Sequence, residues 1–324
     1  VLPETRYAYA VARIRVAELN MLNKARLERM LESDTVKGAL RVLHEAGYNE
    51  SDDYEEVLAK ETASIYSYLR EISPEPGMFD MFSYRYDSHN IKVLLKAELS
   101  GSKETAILVD NGVLEKNMLG IMIRERNLSM LPVEFSRAVT EAVDTFSRTR
   151  DPQIIDIMVD RAYYILFRRL AAEAGSVELI QLAEAVIDIA NLNSFIRIKS
   201  RMEDLDLLSR ILIEGGRIPP KRFLEGFGSD LEAFLNAVKG LGYNVLIETA
   251  IENRNRITEF EKACDNFMMS MVSGYRYKAF GIGPLIGYMI GKETDIRNAR
   301  IVLVGKTNRI NNDTIRERLR NSYV

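Results

Sequence analysis

DIRNARIVLV, Asp295 to Val304, has two echoes earlier in the chain: DIANLNSFIR, Asp188 to Arg197, and DSHNIKVLLK, Asp87 to Lys96. In each an Asp stands three residues before an Asn, and an apolar stretch follows. The three Asp residues lie 101 and 107 positions apart. A second echo supports the first: VKGALRVLHEAGY, Val36 to Tyr48, resembles LEAFLNAVKGLGY, Leu231 to Tyr243, and both end in Gly-Tyr. Repetition at a fixed long period means one structural unit used several times, here three, each ending in the same kind of helix. A third of 324 residues is near the common domain size. The boundaries implied are 1–110, 111–213 and 214–324.

Outside the repeat the pattern is helical throughout, so the expected fold class is all-α. From Tyr7 to Leu31, apolar residues at Tyr7, Val11, Ile14, Met21, Leu22 and Ala25 follow the spacing of one helical face. Similar patterns fill Tyr54 to Glu71, Pro132 to Phe146, Gln153 to Ala174, Leu179 to Ile198, Leu231 to Val238 and Ile247 to Tyr275. Val302 to Val304 is β-branched, yet it sits inside the repeat and is read as helix. Helix starts are marked by Ser229 with Glu232, by Asp151-Pro152, and by Ser51 and Asp52 ahead of Glu55 and Glu56. Breaks fall at Ser73 to Gly77, Gly215-Gly216, Pro219-Pro220 and Gly281 to Pro284. Gly215-Gly216 reads as a tight connection, with a hinge as the alternative.

Asp and Asn three apart share a helix face. Alternatively the Asp caps a helix and the Asn lies in its first turn. In both cases hydrogen bonds fix a junction between helices, whereas a functional role would need exposure at a partner surface. No second titratable group recurs with them, which argues against catalysis. Asp87, Asn90, Asp188, Asn191, Asp295 and Asn298 are therefore nominated as structural repeat junctions.

The usual chemical signatures are missing. Gly305-Lys306-Thr307 looks like the end of a phosphate-binding loop, but that motif needs a glycine where Arg300 stands, so it is read as a helix end with a lysine near carbonyls. GIGPLIG, Gly281 to Gly287, reads as a turn with a proline near the start of the next helix. His44 and His89 are isolated, and Cys264 is the one cysteine, so a zinc set and an intramolecular disulfide are not expected. The single cysteine fits a reducing compartment. Cys264, Met268, Met269 and Met271 read as packing residues. Arg316, Arg318 and Arg320 read as a helix-end face. No catalytic residue, cofactor or metal is nominated.

The 44 basic and 47 acidic residues nearly balance, which gives no reason to expect nucleic acid as a partner. No run of about 18 apolar residues stands out, and Arg6, Arg13 and Arg15 interrupt the first apolar stretch, unlike a signal peptide. Any membrane contact is expected to come through partners.

The repeat segments also carry a family likeness. DSHNIKVLLKAELSG, Asp87 to Gly101, resembles the Asp-x-His-Asn signature of the family of C-type and d-type subunits of A-type and V-type ATPases. YAYAVARIRVAELNMLNKARLERML, Tyr7 to Leu31, resembles that family's opening helix, and EGGRIPPKRF, Glu214 to Phe223, its entry to the third unit. Gly283 to Leu319 is similar to its C-terminal helices. The resemblance implies three pseudo-symmetric helical bundles arranged as a funnel, one copy per complex and a monomer when isolated. It implies a non-catalytic central-stalk subunit at the cytoplasmic face of the membrane, peripheral to it. There it would act as a socket between the central rotor shaft (D- and F-type subunits) and the membrane proteolipid ring. The competing reading is a helical adaptor outside the ATPase, which periods near 100 residues oppose, since common helical solenoid repeats are roughly 30–50 residues long.

Overall fold

The computed structural model describes residues 4–100, 108–200, 205–253 and 257–324. Every regular element among them is helical. In chain order the α-helices are α1 (Ala8–Ala17), α2 (Lys24–Glu32), α3 (Val36–Glu45), α4 (Tyr54–Ile72), α5 (Asp80–Ser100), α6 (Lys116–Glu125), α7 (Val133–Thr149) and α8 (Gln153–Ala174). They continue with α9 (Val177–Ser200), α10 (Leu205–Ile211), α11 (Pro220–Gly226), α12 (Leu231–Val238), α13 (Asn244–Glu252), α14 (Ile257–Ser273), α15 (Gly283–Thr307) and α16 (Asn312–Arg318). The all-α expectation holds, Val302 to Val304 included.

The stretch read as one helix from Tyr7 to Leu31 is two. Between α1 and α2 the chain makes a short 3-10 turn over Glu18–Asn20 and then turns extended at Met21. Polar groups outweigh the apolar periodicity here. The Asn23 side chain caps α2 by accepting from the Arg26 N–H. The Arg26 guanidinium meanwhile donates back to the Leu19 and Met21 carbonyls, 3.0 and 2.6 Å away. Ser229 does not cap α12: the residue before that helix is Asp230, which makes no side-chain cap. The pattern from Ile247 to Tyr275 separates into α13 and α14, and residues 254–256 between them lie outside those described, as does Gly101. The short helices α10, α11 and α16 have too few turns to show a periodic stripe, whereas α6 carries one in Leu119, Met122 and Ile123.

The chain gathers into two compact units, Gly77–Ile247 and Leu2–Pro76 together with Glu248–Val324. In the first, α8 packs against α5, α7 and α9, and α5 also meets α6 and α7. Their shared core holds Ile91, Leu95, Phe135, Val139, Ile155 and Leu166, each essentially solvent-free. Full burial of such a side chain contributes about 1.5–3 kcal/mol. Lys92 and Lys96 on α5 reach Asp160 and Asp156 on α8 at 2.5 and 2.7 Å. That i,i+4 pair meeting its opposite sets register more than it adds stability. By length and composition α9 is apolar enough to cross a membrane over Val177–Lys199, contrary to the reading that no segment stands out. Of its apolar 18-residue window 56% is buried within the fold, as for the core helix of a bundle.

In the second unit α15 is the axis: α1, α2, α3, α4, α14 and α16 all pack on it. Pro284 sits in its first turn, where a missing N–H costs nothing. Gly287 and Gly291, one turn apart, face Tyr323, whose ring would collide with a Cβ at either position. Gly287, the last glycine of the turn-and-proline cluster read from sequence, thus forms with Gly291 a groove for the Tyr323 ring. Lys306, from the phosphate-loop decoy, donates to the carbonyls of Leu31, at 2.8 Å, and Ser33. It therefore caps the end of α2 rather than its own helix.

Candidate functional site

The six nominated Asp and Asn residues are all buried, with 0–1% of each exposed. Each Asp–Asn pair lies inside one long helix, α5, α9 or α15, so the face-sharing alternative is the one observed and the capping alternative is not. What the three pairs hold is backbone.

On α5, Asn90 embraces one peptide residue. Its amide donates to the Val109 carbonyl and its oxygen accepts from the Val109 N–H, both at 2.9 Å. One turn earlier Asp87 accepts from two consecutive N–H groups, Val113 at 2.8 Å and Leu114 at 3.1 Å. On α9 the pattern is the same. Asn191 pairs with Ile213 at 2.8 and 2.9 Å. Asp188 accepts from Arg217 at 2.7 Å and Ile218 at 3.0 Å, and in addition from the Tyr243 hydroxyl at 2.5 Å. In both, the Asn-bound residue precedes the first Asp-bound one by four positions, and a helix begins two positions after the second. Each helix therefore grips the loop that leads into a later helix, α6 for α5 and α11 for α9.

On α15 the grip is divided. Asn298 pairs with Arg320 at 2.8 and 3.0 Å. Asp295 accepts from Leu22, 273 residues away, at 2.8 Å. Leu22 stands two positions before α2, as Leu114 and Ile218 stand before α6 and α11. The third grip thus joins the end of the chain to its beginning. Only one of its two carboxylate bonds is made. The preceding N–H, of Met21, donates instead to the Glu18 carbonyl at 3.2 Å. Asp295 Oδ1 has no hydrogen-bond partner among the described residues.

A glycine explains the difference. Gly112 and Gly216 stand immediately before the two-N–H pairs, and a Cβ on either would collide with the gripped carboxylate. The corresponding position before Met21 is Asn20. The Gly215-Gly216 break is a tight connection: Gly215 has φ +103° and lies against Arg168, and Gly216 lies on Asp188. The usable signal is a Gly-x-aliphatic triplet, GVL and GRI, at a similar distance beyond Asp87 and Asp188.

The Gly-Tyr echo has a counterpart here too. Tyr243 hydrogen-bonds Asp188, which helps raise its pKa further beyond that of an ordinary phenol, after burial. Tyr48 is buried near Asp295, whose charge adds to burial in pushing the phenol well above its usual range. Its hydroxyl has no partner among the described residues. The Lys292 ammonium sits 4.3 Å from the Tyr48 ring centre and 2.5 Å from Glu61. Such a buried pair needs its partners, since a lone charge there costs several kcal/mol.

All three carboxyls are pushed upward, chiefly by burial. Asp87 reaches about 6, with the Val113 and Leu114 N–H groups pulling the other way. Asp188 rises against its Tyr243 and backbone donors. Asp295, with one backbone donor and Lys292 to oppose burial, is pushed up to about 7. The arrangement positions backbone; it presents no exposed nucleophile or acid–base pair. His89 is exposed on α5 beside this cluster, and Cys264 is buried. No group of three or more metal-ligating side chains occurs among the described residues. Two arginines of the C-terminal run pair with carboxylates, Arg316 with Glu28 and Arg320 with Asp265, both at 2.9 Å.

Residues 10–318 match the model of a family described as ATP synthase (C/AC39) subunit. The chain is 25% identical over 317 residues to the C-type subunit of the V-type sodium ATPase of Enterococcus hirae, covering 96% of this chain and 97% of that protein. It is 24% identical over 342 residues to the C-type subunit of the A-type ATP synthase of Methanocaldococcus jannaschii, with 97% and 86% covered. Against the corresponding Pyrococcus furiosus protein the identity is 21% over 336 residues, with 97% and 90% covered.

Proposed function

The chain belongs to the ATP synthase (C/AC39) subunit family of V- and A-type ATPases, and from that premise we propose that it is the non-catalytic socket of the central stalk. In this reading it joins the rotor shaft of D- and F-type subunits to the membrane proteolipid ring, one copy per complex. It lies peripherally on the cytoplasmic face and couples ATP turnover to proton or sodium transport. Its three units, with boundaries near 110 and 213, form a pseudo-symmetric funnel.

The observation that supports this most is the grip repeated at Asp87–Asn90, Asp188–Asn191 and Asp295–Asn298. In this reading these are the junctions between successive units, the last one closing the set onto the first. A part that transmits torque needs stiff connections between its bundles. Buried carboxylates and amides bound to backbone supply stiffness that loop contacts alone do not.

The test is binding of the purified chain to a purified shaft subcomplex, followed by addition of the detergent-solubilised ring. The expected result is a one-to-one complex with the shaft that then captures the ring. Failure to bind either, with both partners folded, would return the chain to the helical-adaptor reading.

A further inference from the structure

The Asp295 grip differs from the other two in ways that bear on motion rather than architecture. Its carboxylate has one backbone donor where Asp87 and Asp188 have two. Its second oxygen is buried without a partner, and so is the hydroxyl of nearby Tyr48. The glycine that lets the backbone close on the other carboxylates is replaced by Asn20, and the N–H that would complete the pair is committed to Glu18. A neutral carboxyl satisfies this site better than a charged one. Its carbonyl oxygen still accepts from Leu22, and its hydroxyl, although it adds a donor hydrogen, carries no charge for a second donor to offset.

The groups around it do not reverse that preference. From α15 come Lys292, which favours the charged form, and Tyr288. From α4 comes Glu61, which opposes the charged form and is itself held by Lys292 at 2.5 Å. Arg26 of α2 adds a weak attraction, and Tyr48 lies beyond the end of α3.

We propose that the junction between Asp295 and Leu22 is a proton-controlled joint: protonated Asp295 keeps the turn over Met21–Asn23 seated on α15, and loss of the proton loosens it. Opening hydrates the carboxylate, so deprotonation favours the open form until the closed form has ionised as well. The joint rests on the hydrogen-bond geometry and burial of Asp295 and on the charges packed around it, and stands whether or not the chain is a rotor socket.

The test is amide hydrogen exchange on the intact chain at pH 6 and pH 8, expressed as protection factors so that intrinsic base catalysis divides out. With folded-state values near 7 for Asp295 and near 6 for Asp87, linkage gives about a tenfold loss of protection at Leu22 against about twofold at Leu114. Asp295→Asn, which keeps an acceptor for Leu22, should level the Leu22 response. Leu22 protection that is equal at the two pH values would overturn the joint, as would the same fall persisting in Asp295→Asn. Should that variant not fold, the carboxyl-carbon shift of Asp295 in the unmodified chain decides. A midpoint near 7 sustains the proposal, and one below about 5 refutes it.

Discussion

Asp188 and Asp295 occupy the same place in two copies of one motif, and their surroundings have diverged. Asp188 accepts three hydrogen bonds, with Gly216 clearing the way for the backbone. Asp295 accepts one, with Asn20 in the glycine's position. Neither side chain is exposed, but Asp295 lies deeper in the protein than Asp188, and the two also differ in how much of the desolvation cost is offset. At Asp188 the charge is matched by oriented donors. At Asp295 it is matched by one N–H and a lysine that already serves Glu61. Keeping the letters of a motif does not keep its energetics, because the donors come from loops elsewhere in the chain.

The largest effect should come from Asp188→Asn. An amide offers one acceptor oxygen where three donors converge, and its NH2 would face a backbone N–H or the Tyr243 hydroxyl. Two unsatisfied buried donors imply a loss of about 3–5 kcal/mol in urea unfolding. An effect below about 1 kcal/mol would show that the grip is incidental to stability.

Gly216→Ala comes next. The added methyl would overlap the Asp188 carboxylate, which its three bonds prevent from swinging away. A destabilisation of about 2–3 kcal/mol is expected. Exposed Asn20→Ala, at the corresponding place before Leu22, should stay within about 0.5 kcal/mol. Equal costs at the two positions would mean the glycine has no special part in the closed grips.

Asp295→Asn should have the opposite sign to Asp188→Asn. Burial raises Asp295 to about 7 in the fold, while an unfolded aspartate titrates near 4. The fold binds that proton more tightly, so its contribution is fully present below about pH 4 and is lost as pH rises through 7. The variant has no such slope. Relative to the unmodified chain it should be nearly neutral at pH 4 and more stable by about 3–4 kcal/mol at pH 8. Destabilisation at pH 8 would show that Lys292 and Leu22 offset the buried charge after all.

These contrasts also mark what is legible in the sequence. The long helices announce themselves by period, and the Asp–Asn spacing locates the three buried pairs. Two things stay hidden. The break at Met21–Asn23 lies inside an unbroken apolar stripe, because it is caused by Arg26 folding back and by an Asp 273 residues away. The backbone partners of each Asp also lie 26–30 residues downstream in the first two copies, so period alone does not connect them. Gly112 and Gly216 carry that link, as close-approach glycines whose reason appears only once the carboxylate is seen against them.

The Gly-Tyr echo supplies the smallest and sharpest comparison. Tyr243 commits its hydroxyl to Asp188, whereas the buried Tyr48 hydroxyl donates to nothing among the described residues. Tyr243→Phe removes one of three donors to a charged group and should cost about 1 kcal/mol. Because that donor favours the charged carboxylate, its loss should raise the Asp188 pKa further, moving that residue's share of the pH dependence upward. Tyr48→Phe removes a buried hydroxyl that lacks a partner while keeping the ring beneath Lys292 at 4.3 Å. It should be neutral or slightly stabilising, by less than about 1 kcal/mol. If Tyr48→Phe instead destabilises as much as Tyr243→Phe, the Tyr48 hydroxyl contacts Asp295 in solution, and the two grips are closer in energy than their geometry indicates.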